Sequence, residues 1–262
     1  MTTTSAPLAR GSALRETLAR HVLVADGAMG TMLQDADVSL ADFEDYEGCN
    51  EILNVTRPDI VAEVHDAYLS VGVDCIETNT FGANLANLAE YGIEDRIYEL
   101  AYAGARLART QADIWSTPEQ PRFVLGAMGP GTRLPTLGHI TFAELRDAYA
   151  EQARGLINGG VDALLVETTQ DLLQAKAAII GCQRARATAG SDALIMVQVT
   201  VEMTGTMLLG TEIGAALAAL EPLGVDSIGL NCATGPTEMS EHLRTLSRTT
   251  ALALTCMPNA GL

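Results

Sequence analysis

A single cysteine, Cys232, follows a short strand of small and apolar residues and is the residue best placed to do chemistry. The segment Ser227–Asn231 is apolar up to Leu230 and then turns polar, and Gly235-Pro236 breaks regular structure directly afterwards. A thiol at the end of a strand, in a chain with five cysteines, favours a ligand or nucleophile over core packing. One thiolate cannot hold a zinc ion alone, because zinc sites take three or four protein ligands.

Carboxylates and small polar residues also follow other predicted strands. Asp26, Glu77 with Thr78, and Glu167 stand at these positions, whereas no arginine, lysine or histidine does. An acidic rim suits a cationic group, because opposite charges at close range stabilise one another. We therefore expect the strand ends to bind either the ammonium of an amino acid or a metal ion.

The segment that begins at Asp26 predicts a site for both ends of an amino acid. Gly27 and Gly30 allow close backbone approach, so that amide N–H groups there can receive a carboxylate. Asp26 and Glu167 together can clamp the ammonium of the same ligand. Two alternatives stay open for this segment. Asp26 can be an ordinary turn or helix-cap residue, or residues 26–31 can form a phosphate loop, although they match neither a Walker motif nor GxGxxG.

Short apolar runs alternate with longer amphipathic stretches along the chain. This rhythm is typical of a parallel sheet whose strands are joined by helices. The predicted strands are residues 21–26, 73–78, 123–128, 162–167, 194–200, 227–231 and 251–255. The predicted helices are residues 14–20, 58–71, 96–112, 141–158, 172–187, 213–220 and 237–247. Thr141 followed by Glu144 predicts a capping box at the start of the fourth helix.

Seven strands, each preceded by a helix, predict an α/β fold of the (β/α)8 TIM-barrel type. The length of 262 residues suits one such barrel. A closed barrel needs eight strands, and we expect this one to be truncated before the eighth. Its edge strands would then expose unpaired backbone groups, so we also expect self-association or local disorder at an edge.

The tripeptide Gly-Val-Asp occurs three times, at residues 72–74, 160–162 and 224–226. Each copy joins a predicted helix to the next strand. The glycine is expected to end the helix, and the aspartate lies at the amino end of the strand, away from the catalytic end of a barrel. We therefore interpret these aspartates as structural.

Composition excludes several classes of function. The chain has 33 acidic and 16 basic residues, a formal charge of −17, so neither nucleic acid nor an anionic membrane is an expected partner. Lys176 is the only lysine and lies in a predicted helix, which argues against Schiff-base chemistry. The cysteines show no paired spacing, and the sequence has neither a secretory leader nor an 18-residue apolar run. We therefore expect a cytoplasmic location.

The other four cysteines are less informative. Cys75 and Cys182 fall among apolar neighbours and are interpreted as packing residues. Cys256 lies near the end of the seventh predicted strand and is interpreted as a small core residue, with a position facing Cys232 as the alternative. Cys49 lies in a loop, and its role stays open.

Three motifs, in order along the chain, resemble the homocysteine S-methyltransferase family. They are Val24-Ala-Asp-Gly-Ala-Met-Gly-Thr-Met32, Glu77-Thr-Asn-Thr-Phe-Gly-Ala-Asn84 and Gly229-Leu-Asn-Cys-Ala-Thr-Gly-Pro236. Within the family the likeness is greatest to the N-terminal homocysteine-binding module of the cobalamin-dependent methionine synthase subgroup. The segments that fit this subgroup are Asn50-Glu-Ile-Leu-Asn54 with Arg57-Pro58, and Met257-Pro-Asn-Ala-Gly261. The resemblance implies that residues 1–262 form one homocysteine-binding barrel, the incomplete N-terminal module of a larger enzyme.

The resemblance also implies roles for the strand-end residues. It implies that Cys232 is the first of three cysteine ligands of a zinc ion. Asp26 and Glu167 would hold the ammonium of homocysteine, and the backbone near Gly27 and Ala28 would take its carboxylate. The other residues that we count with the substrate site are Glu77, Thr78 and Asn231.

The chemistry that the resemblance implies is a methyl transfer to sulfur. Zinc would deprotonate the thiol of L-homocysteine, because metal coordination stabilises a thiolate at neutral pH. The thiolate would take the methyl group of methylcobalamin to give methionine, and 5-methyltetrahydrofolate would recharge the cobalamin. Downstream folate- and cobalamin-binding modules of the same protein would carry these partners.

One part of the family pattern is missing from this sequence. The other two zinc ligands of the family are adjacent cysteines in a Gly-Gly-Cys-Cys motif at the eighth strand, and no such motif occurs here. We therefore expect this chain to bind no catalytic zinc and to be inactive alone. Two alternatives stay open: a stand-alone homocysteine S-methyltransferase with a betaine or sulfonium donor, and a non-catalytic amino-acid-binding barrel.

Overall fold

Six parallel strands form one sheet in the computed structural model, which describes residues 10–259. In sheet order the strands are β1 (Cys75–Glu77), β2 (Phe123–Met128), β3 (Ala163–Thr169), β4 (Leu194–Val199), β5 (Ser227–Asn231) and β6 (Ala253–Met257). Each strand pairs with the next one along the chain, and the sheet curls into a half-barrel. The predicted α/β class and parallel sheet are confirmed.

Helices join consecutive strands, and most begin and end close to the predicted positions. Within residues 10–259 the α-helices are α1 (Arg10–Leu18), α2 (Met29–Asp35), α3 (Leu53–Thr56), α4 (Pro58–Ser70), α5 (Leu85–Glu90), α6 (Ile97–Trp115), α7 (Phe142–Gly159), α8 (Leu172–Ala189), α9 (Ile213–Leu220) and α10 (Pro236–Thr249). Short 3-10 helices are Leu40–Phe43, Asn50–Ile52, Glu94–Arg96, Pro135–Leu137 and Glu221–Leu223. The predicted capping box is confirmed, because Thr141 and Glu144 each accept the other's backbone N–H, at 3.2 and 3.1 Å. None of the helices in this described part is long and apolar enough to cross a membrane.

The segment predicted as the first strand, residues 21–26, does not form one. Only Ala25 makes a bridge, to Cys75, although Val24 also accepts backbone hydrogen bonds from Cys75 and from Asp74, the residue before β1. The segment lies at an open edge, where Val22 is 94% exposed. Around this bridge, the segment exchanges only three backbone hydrogen bonds with residues 74 and 75, which is too little pairing for a strand. The predicted count of seven strands is therefore wrong for the described residues.

Apolar side chains cover both faces of the curled sheet. The larger cluster fills the space between the strands and the helices, and it includes Cys182, whose Sγ lies 3.6 Å from Met128 Sδ. A smaller cluster on the concave face brings Leu14 of α1 against Cys75 and Leu165. Cys75 and Cys182 are 4% and 0% exposed, so their interpretation as packing residues is confirmed. The members of this smaller cluster lie towards the amino ends of the strands. Leu14 therefore does not cover the carboxyl ends.

The three Gly-Val-Asp aspartates tie the start of one strand to its neighbour. The bonds run from Val24 N to Asp74 Oδ2 (2.9 Å), from Val124 N to Asp162 Oδ2 (2.6 Å) and from Ile195 N to Asp226 Oδ2 (2.8 Å). The preceding glycines, Gly72, Gly160 and Gly224, have φ of +98°, +102° and +72°. Each aspartate thus satisfies a donor at the amino end of the sheet, and the structural interpretation is confirmed.

Both edges of the sheet remain accessible. On the β6 side Leu254 is 36% exposed, and on the opposite side Val24 is 57% exposed. The prediction of self-association at an edge stays a prediction. The last two residues of the predicted motif 257–261 lie outside the described residues.

Candidate functional site

One cavity of about 770 Å³ opens at the carboxyl ends of the strands. Its lining includes every site residue expected from the sequence, namely Asp26, Gly27, Ala28, Glu77, Thr78, Glu167, Asn231 and Cys232. These residues come together because parallel strands deliver all their carboxyl ends to the same side of the sheet. The cavity lies between the two open edges, since Val24 lines it on one side and Met257 on the other.

Asp26 and Glu77 form the first part of an acidic group. The backbone N–H of Glu77 donates to Asp26 Oδ2 at 3.0 Å, which joins the edge segment to the end of β1. The other oxygen of the aspartate, Oδ1, and Glu77 Oε1 are enclosed without a hydrogen-bond partner among the described residues. An enclosed carboxylate oxygen without a donor costs free energy, so the pair favours a ligand that donates hydrogen bonds.

Glu167, at the end of β3, completes the acidic group. It is 6% exposed, and its Oε2 accepts a hydrogen bond from Asn231 Nδ2 at 3.1 Å. No lysine, arginine or histidine is found among the described residues that line the cavity. These three carboxyl groups thus share one space without a cation of the protein. A fourth, Glu51, also lines the cavity but already accepts the backbone N–H of Gly82 at 2.7 Å.

Burial raises the pKa of all three carboxyl groups, and repulsion by neighbouring carboxylates adds to it for Asp26 and Glu167. Burial raises the pKa of Glu77 to about 7. Burial, and then the charge of Glu77, raises the pKa of Asp26 well above its usual value. Burial, followed by the charges of Glu77 and Asp26, does the same to the pKa of Glu167. A bound cation would reverse these shifts, because it stabilises the ionised carboxylates.

The backbone after Asp26 offers donors beside the acids. The N–H groups of Gly27 and Ala28 have no acceptor among the described residues. Tyr68 on α4 donates its hydroxyl to Ala28 O at 3.2 Å and holds this turn in place. A Cβ at Gly27 would lie 3.1 Å from Tyr68 Oη, so glycine permits this close approach.

Thr78 lines the cavity but uses its hydroxyl inside the protein. It is 3% exposed, and its Oγ1 accepts the backbone N–H of Ala127 at 3.0 Å. The same oxygen also contacts Thr80 Oγ1 at 2.5 Å. These contacts fix the end of β1 against β2 and so hold Glu77 at the mouth of the half-barrel.

Cys232 projects from the turn after β5 and is half-buried. Its Sγ lies 3.5 Å from Asn231 Nδ2 and 3.8 Å from Thr168 Oγ1. Burial raises the pKa of the thiol, the contact with Thr168 lowers it, and the charges of Glu167 and Glu77 raise it. The thiol thus sits in an acidic surrounding that does not favour a free thiolate.

Left-handed backbone occurs at the two segments that meet at this thiol, the end of β3 and the turn after β5. Thr168, Cys232 and Ala233 have φ of +55°, +58° and +56°. Such values are unfavourable for residues other than glycine, and strained residues of this kind cluster at functional sites. The strain lies where β3 and β5 end, beside Glu167 and Asn231.

The described residues do not make a complete zinc site. Residues 10–259 contain no group of three or more His, Cys, Asp or Glu side chains arranged to hold a metal ion. Cys256 lines the same cavity, but its Sγ lies 3.8 Å from Met239 Sδ. The interpretation of Cys256 as a core residue is wrong, because β6 lies at an open edge and leaves it exposed. Cys49 is buried with its Sγ 3.8 Å from Glu51 Oε2.

Sequence reasoning missed two residues that shape the site. Thr168 touches both Asn231 and Cys232, and Tyr68 fixes the turn at Ala28. Nothing in the sequence distinguishes Thr168 from its neighbour Thr169, because the signal is a backbone angle. Tyr68 lies in a helix predicted from apolar spacing, so its hydroxyl gave no sign of a partner 40 residues away.

Comparisons with known proteins agree with this arrangement. A profile of the family described as homocysteine S-methyltransferase matches residues 23–262. A methionine synthase from Mycobacterium leprae (strain TN) is 61% identical over 249 residues, and one from Mycobacterium tuberculosis (strain ATCC 25618 / H37Rv) is 59% identical over 249 residues. Each match covers 95% of this chain and 21% of the relative, so the chain spans about one fifth of their length.

A solved structure shares the fold. The crystal structure of the homocysteine methyltransferase MmuM from Escherichia coli, in its metallated form, superposes with a TM-score of 0.78 at 23% identity. The superposition covers 95% of this chain and 87% of that one. Together with the family profile, which spans most of the sequence, these observations place the chain: it belongs to the homocysteine S-methyltransferase family.

Proposed function

We propose that this chain forms the homocysteine-binding unit of a methyltransferase of the methionine synthase type, and that its half-barrel is part of a (β/α)8 barrel. Residues 1–262 would all belong to this one N-terminal domain. The observation that carries the proposal is the single cavity lined by Asp26, Glu77, Glu167 and Cys232. It combines an acidic group for an ammonium with a thiol for a sulfur site.

The ammonium of L-homocysteine would lie among the three carboxyl groups. Two enclosed oxygens, Asp26 Oδ1 and Glu77 Oε1, lack donors among the described residues, and an ammonium supplies three. A bound ammonium would offset the repulsion that raises the carboxyl pKa values. Asp26 of the edge segment and Glu167 of β3 would approach it from two sides, with Glu77 between them in sheet order.

The carboxylate of the ligand would lie at the turn after Asp26. The free N–H groups of Gly27 and Ala28 are donors there, and the start of α2 follows directly. Backbone N–H groups in a turn are common binding partners of carboxylates. Tyr68 would position this turn without touching the ligand, since its hydroxyl is used on Ala28 O.

On the family resemblance, zinc and methylcobalamin are the proposed cofactors. The described residues supply one thiol, Cys232, and do not by themselves fit a zinc ion. The contribution argued for this chain is therefore to bind and orient homocysteine, and to present Cys232 on the sulfur side of the cavity. Folate- and cobalamin-binding modules of the same protein remain proposed partners, and a cytoplasmic location fits the five free thiols.

Titration calorimetry on the protein at its natural length tests the proposal. L-Homocysteine, with and without zinc, is compared with 4-sulfanylbutanoate, which lacks the ammonium, and with 3-sulfanylpropan-1-amine, which lacks the carboxylate. We expect each analogue to bind at least about tenfold more weakly, because each loses charge-assisted hydrogen bonds. Equal affinity for 4-sulfanylbutanoate and L-homocysteine would overturn the ammonium site.

The methyl donor and the alternatives are separated by a second assay. Methionine formation is measured with methylcobalamin, with betaine and with S-methylmethionine as the sole donor. The proposal expects turnover with methylcobalamin. Turnover with betaine or the sulfonium alone would favour a stand-alone methyltransferase, and tight zinc-independent binding without turnover would favour a non-catalytic amino-acid-binding barrel.

A further inference from the structure

The side chain of Asn231 is fully occupied by contacts inside the protein. It is 3% exposed and lies at the end of β5. Its Oδ1 accepts the backbone N–H of Thr168 at 2.8 Å. Its Nδ2 contacts three acceptors, which are Thr168 Oγ1 at 2.8 Å, Glu167 Oε2 at 3.1 Å and Cys232 Sγ at 3.5 Å. An amide group carries two donors, so no donor is left for a substrate.

The contact with Thr168 closes an irregularity in the sheet. Between β3 and β4 the register shifts after Val166, so that two residues of β3, Glu167 and Thr168, stand opposite one residue of β4. This is a β-bulge, which leaves one backbone group without a ladder partner and redirects the side chains around it. The N–H of Thr168 finds its acceptor on the side chain of Asn231, one strand beyond β4.

The bulge explains why a threonine adopts a left-handed conformation. Thr168 has φ of +55°, which is costly for a β-branched residue and needs compensation from its surroundings. Asn231 supplies it through two hydrogen bonds of 2.8 Å, one to the backbone N–H and one to the hydroxyl. The same amide then reaches the carboxylate of Glu167, directly before the bulged residue.

We propose that Asn231 is a positioning residue: it fixes the β3 bulge and holds the Glu167 carboxylate so that it can receive the substrate ammonium. This refines the sequence expectation that counted Asn231 among the substrate-binding residues. The identity of the ligand rests on the proposed function, whereas the stabilisation of the bulge by Asn231 does not. The residue acts through Glu167 and Thr168 and makes no contact with homocysteine.

Two substitutions separate the two tasks of the amide. Asn231→Asp keeps an oxygen that accepts the Thr168 N–H but replaces the donor to Glu167 with a second acceptor. Asn231→Ala removes both. Asn158→Asp, on the exposed surface of α7, is the matched control. Affinity for the three ligands named above is measured by calorimetry on the protein at its natural length.

In both variants we expect affinity for L-homocysteine and 3-sulfanylpropan-1-amine to fall by about tenfold or more, because both ligands carry an ammonium. Affinity for 4-sulfanylbutanoate is expected to stay within about twofold, since it has no ammonium for Glu167 to hold. A loss equally large for 4-sulfanylbutanoate would mean that Asn231 contacts the ligand directly, and an unchanged affinity for all three would mean that it does not position Glu167. Either result overturns the proposal.

Amide hydrogen exchange at Thr168 gives a readout that needs no ligand. Protection is expected to persist in Asn231→Asp, which keeps the acceptor, and to be lost in Asn231→Ala. Protection that survives in Asn231→Ala would refute the hold on the bulge. If the wild-type protein binds none of the three ligands, the proposed function fails, while the exchange result still decides the role of Asn231 in the bulge. If Asn231→Ala does not fold, the affinities of Asn231→Asp for the three ligands decide between positioning and no role.

Discussion

The carboxylate of Asp26 accepts the backbone N–H of Glu77 at 3.0 Å, which fixes two acidic residues side by side on neighbouring chain segments. The edge segment meets β1 through only one bridge, at Ala25. This hydrogen bond therefore extends the contact to the point where the acids face the cavity. The two carboxyl groups are held together by the fold and repel one another when both are ionised.

Replacing Glu77 by glutamine is expected to stabilise the folded chain at high pH. Burial raises the pKa of Glu77 from its ordinary value of 4.5 to about 7. The folded state thus holds a proton that the unfolded state has lost, so the free energy of unfolding falls as pH rises from about 4.5 to 7. Glu77→Gln should remove this fall, giving a variant that is about 1–3 kcal/mol more stable than wild type at pH 8 and little changed at pH 4.

Urea unfolding at a series of pH values measures this difference. Glu63→Gln, at an exposed position of α4, is the control. The same Glu77→Gln protein should bind L-homocysteine more weakly, because one of three acids around the ammonium has lost its charge. A stability difference that does not change with pH would show that Glu77 is not buried with a proton.

Short apolar runs that alternate with amphipathic stretches predict most strands and helices, because the spacing of apolar residues indicates which face of each element is buried. Asp26, Glu77 and Glu167 could be placed at one end of the sheet, since parallel strands share a direction. The bulge at Thr168 could not be predicted from the sequence, because it depends on the side-chain amide of Asn231, 63 residues away. The edge segment 21–26 has the composition of a strand, but its structure depends on how far it pairs with β1, which a pattern of apolar residues does not show.

Glycine is expected to be more stable than alanine at position 168. Thr168 has φ of +55°, a conformation that glycine adopts freely and alanine does not. Thr168→Gly and Thr168→Ala both lose the hydroxyl, so the difference between them isolates the backbone strain. We expect Thr168→Gly to have the higher free energy of unfolding by about 1 kcal/mol.

Thermal or urea unfolding of this pair decides the point. Thr169, the next residue of β3, supplies the control pair Thr169→Gly and Thr169→Ala. There alanine should be the more stable, because glycine gains extra freedom in the unfolded chain. If the same variant, glycine or alanine, were the more stable at both positions, the backbone at Thr168 would not be strained.

His65 is expected to make the fold sensitive to acid. The side chain lies on the inner face of α4, is 0% exposed, and has no hydrogen-bond partner among the described residues for either ring nitrogen. Burial lowers its pKa from 6.5 to about 4. Below pH 6.5 the unfolded chain therefore takes up a proton that the folded chain refuses, and stability falls as pH drops towards 4.

Replacing His65 by leucine should remove this loss. Between pH 7 and pH 4, the free energy of unfolding should drop by about 2–3 kcal/mol more in wild type than in His65→Leu. His21→Leu changes an exposed histidine and serves as the control. Parallel pH profiles for wild type and His65→Leu would mean that the imidazole is hydrated or partnered in solution.

Of the Gly-Val-Asp aspartates, Asp162 is expected to be more costly to replace than Asp74. Its carboxylate accepts the N–H of Val124 and pairs with Arg109 at 2.9 Å, and the two side chains are 5% and 4% exposed. Asp162→Asn leaves the guanidinium buried with one charge fewer beside it, so the free energy of unfolding should fall by about 2–4 kcal/mol. Asp74 pairs with Arg122 at 3.5 Å and its side chain is 24% exposed, so Asp74→Asn should cost about 1 kcal/mol. Equal losses in urea unfolding of the two variants would mean that the pair of Asp162 with Arg109 stabilises the fold no more than the pair of Asp74 with Arg122.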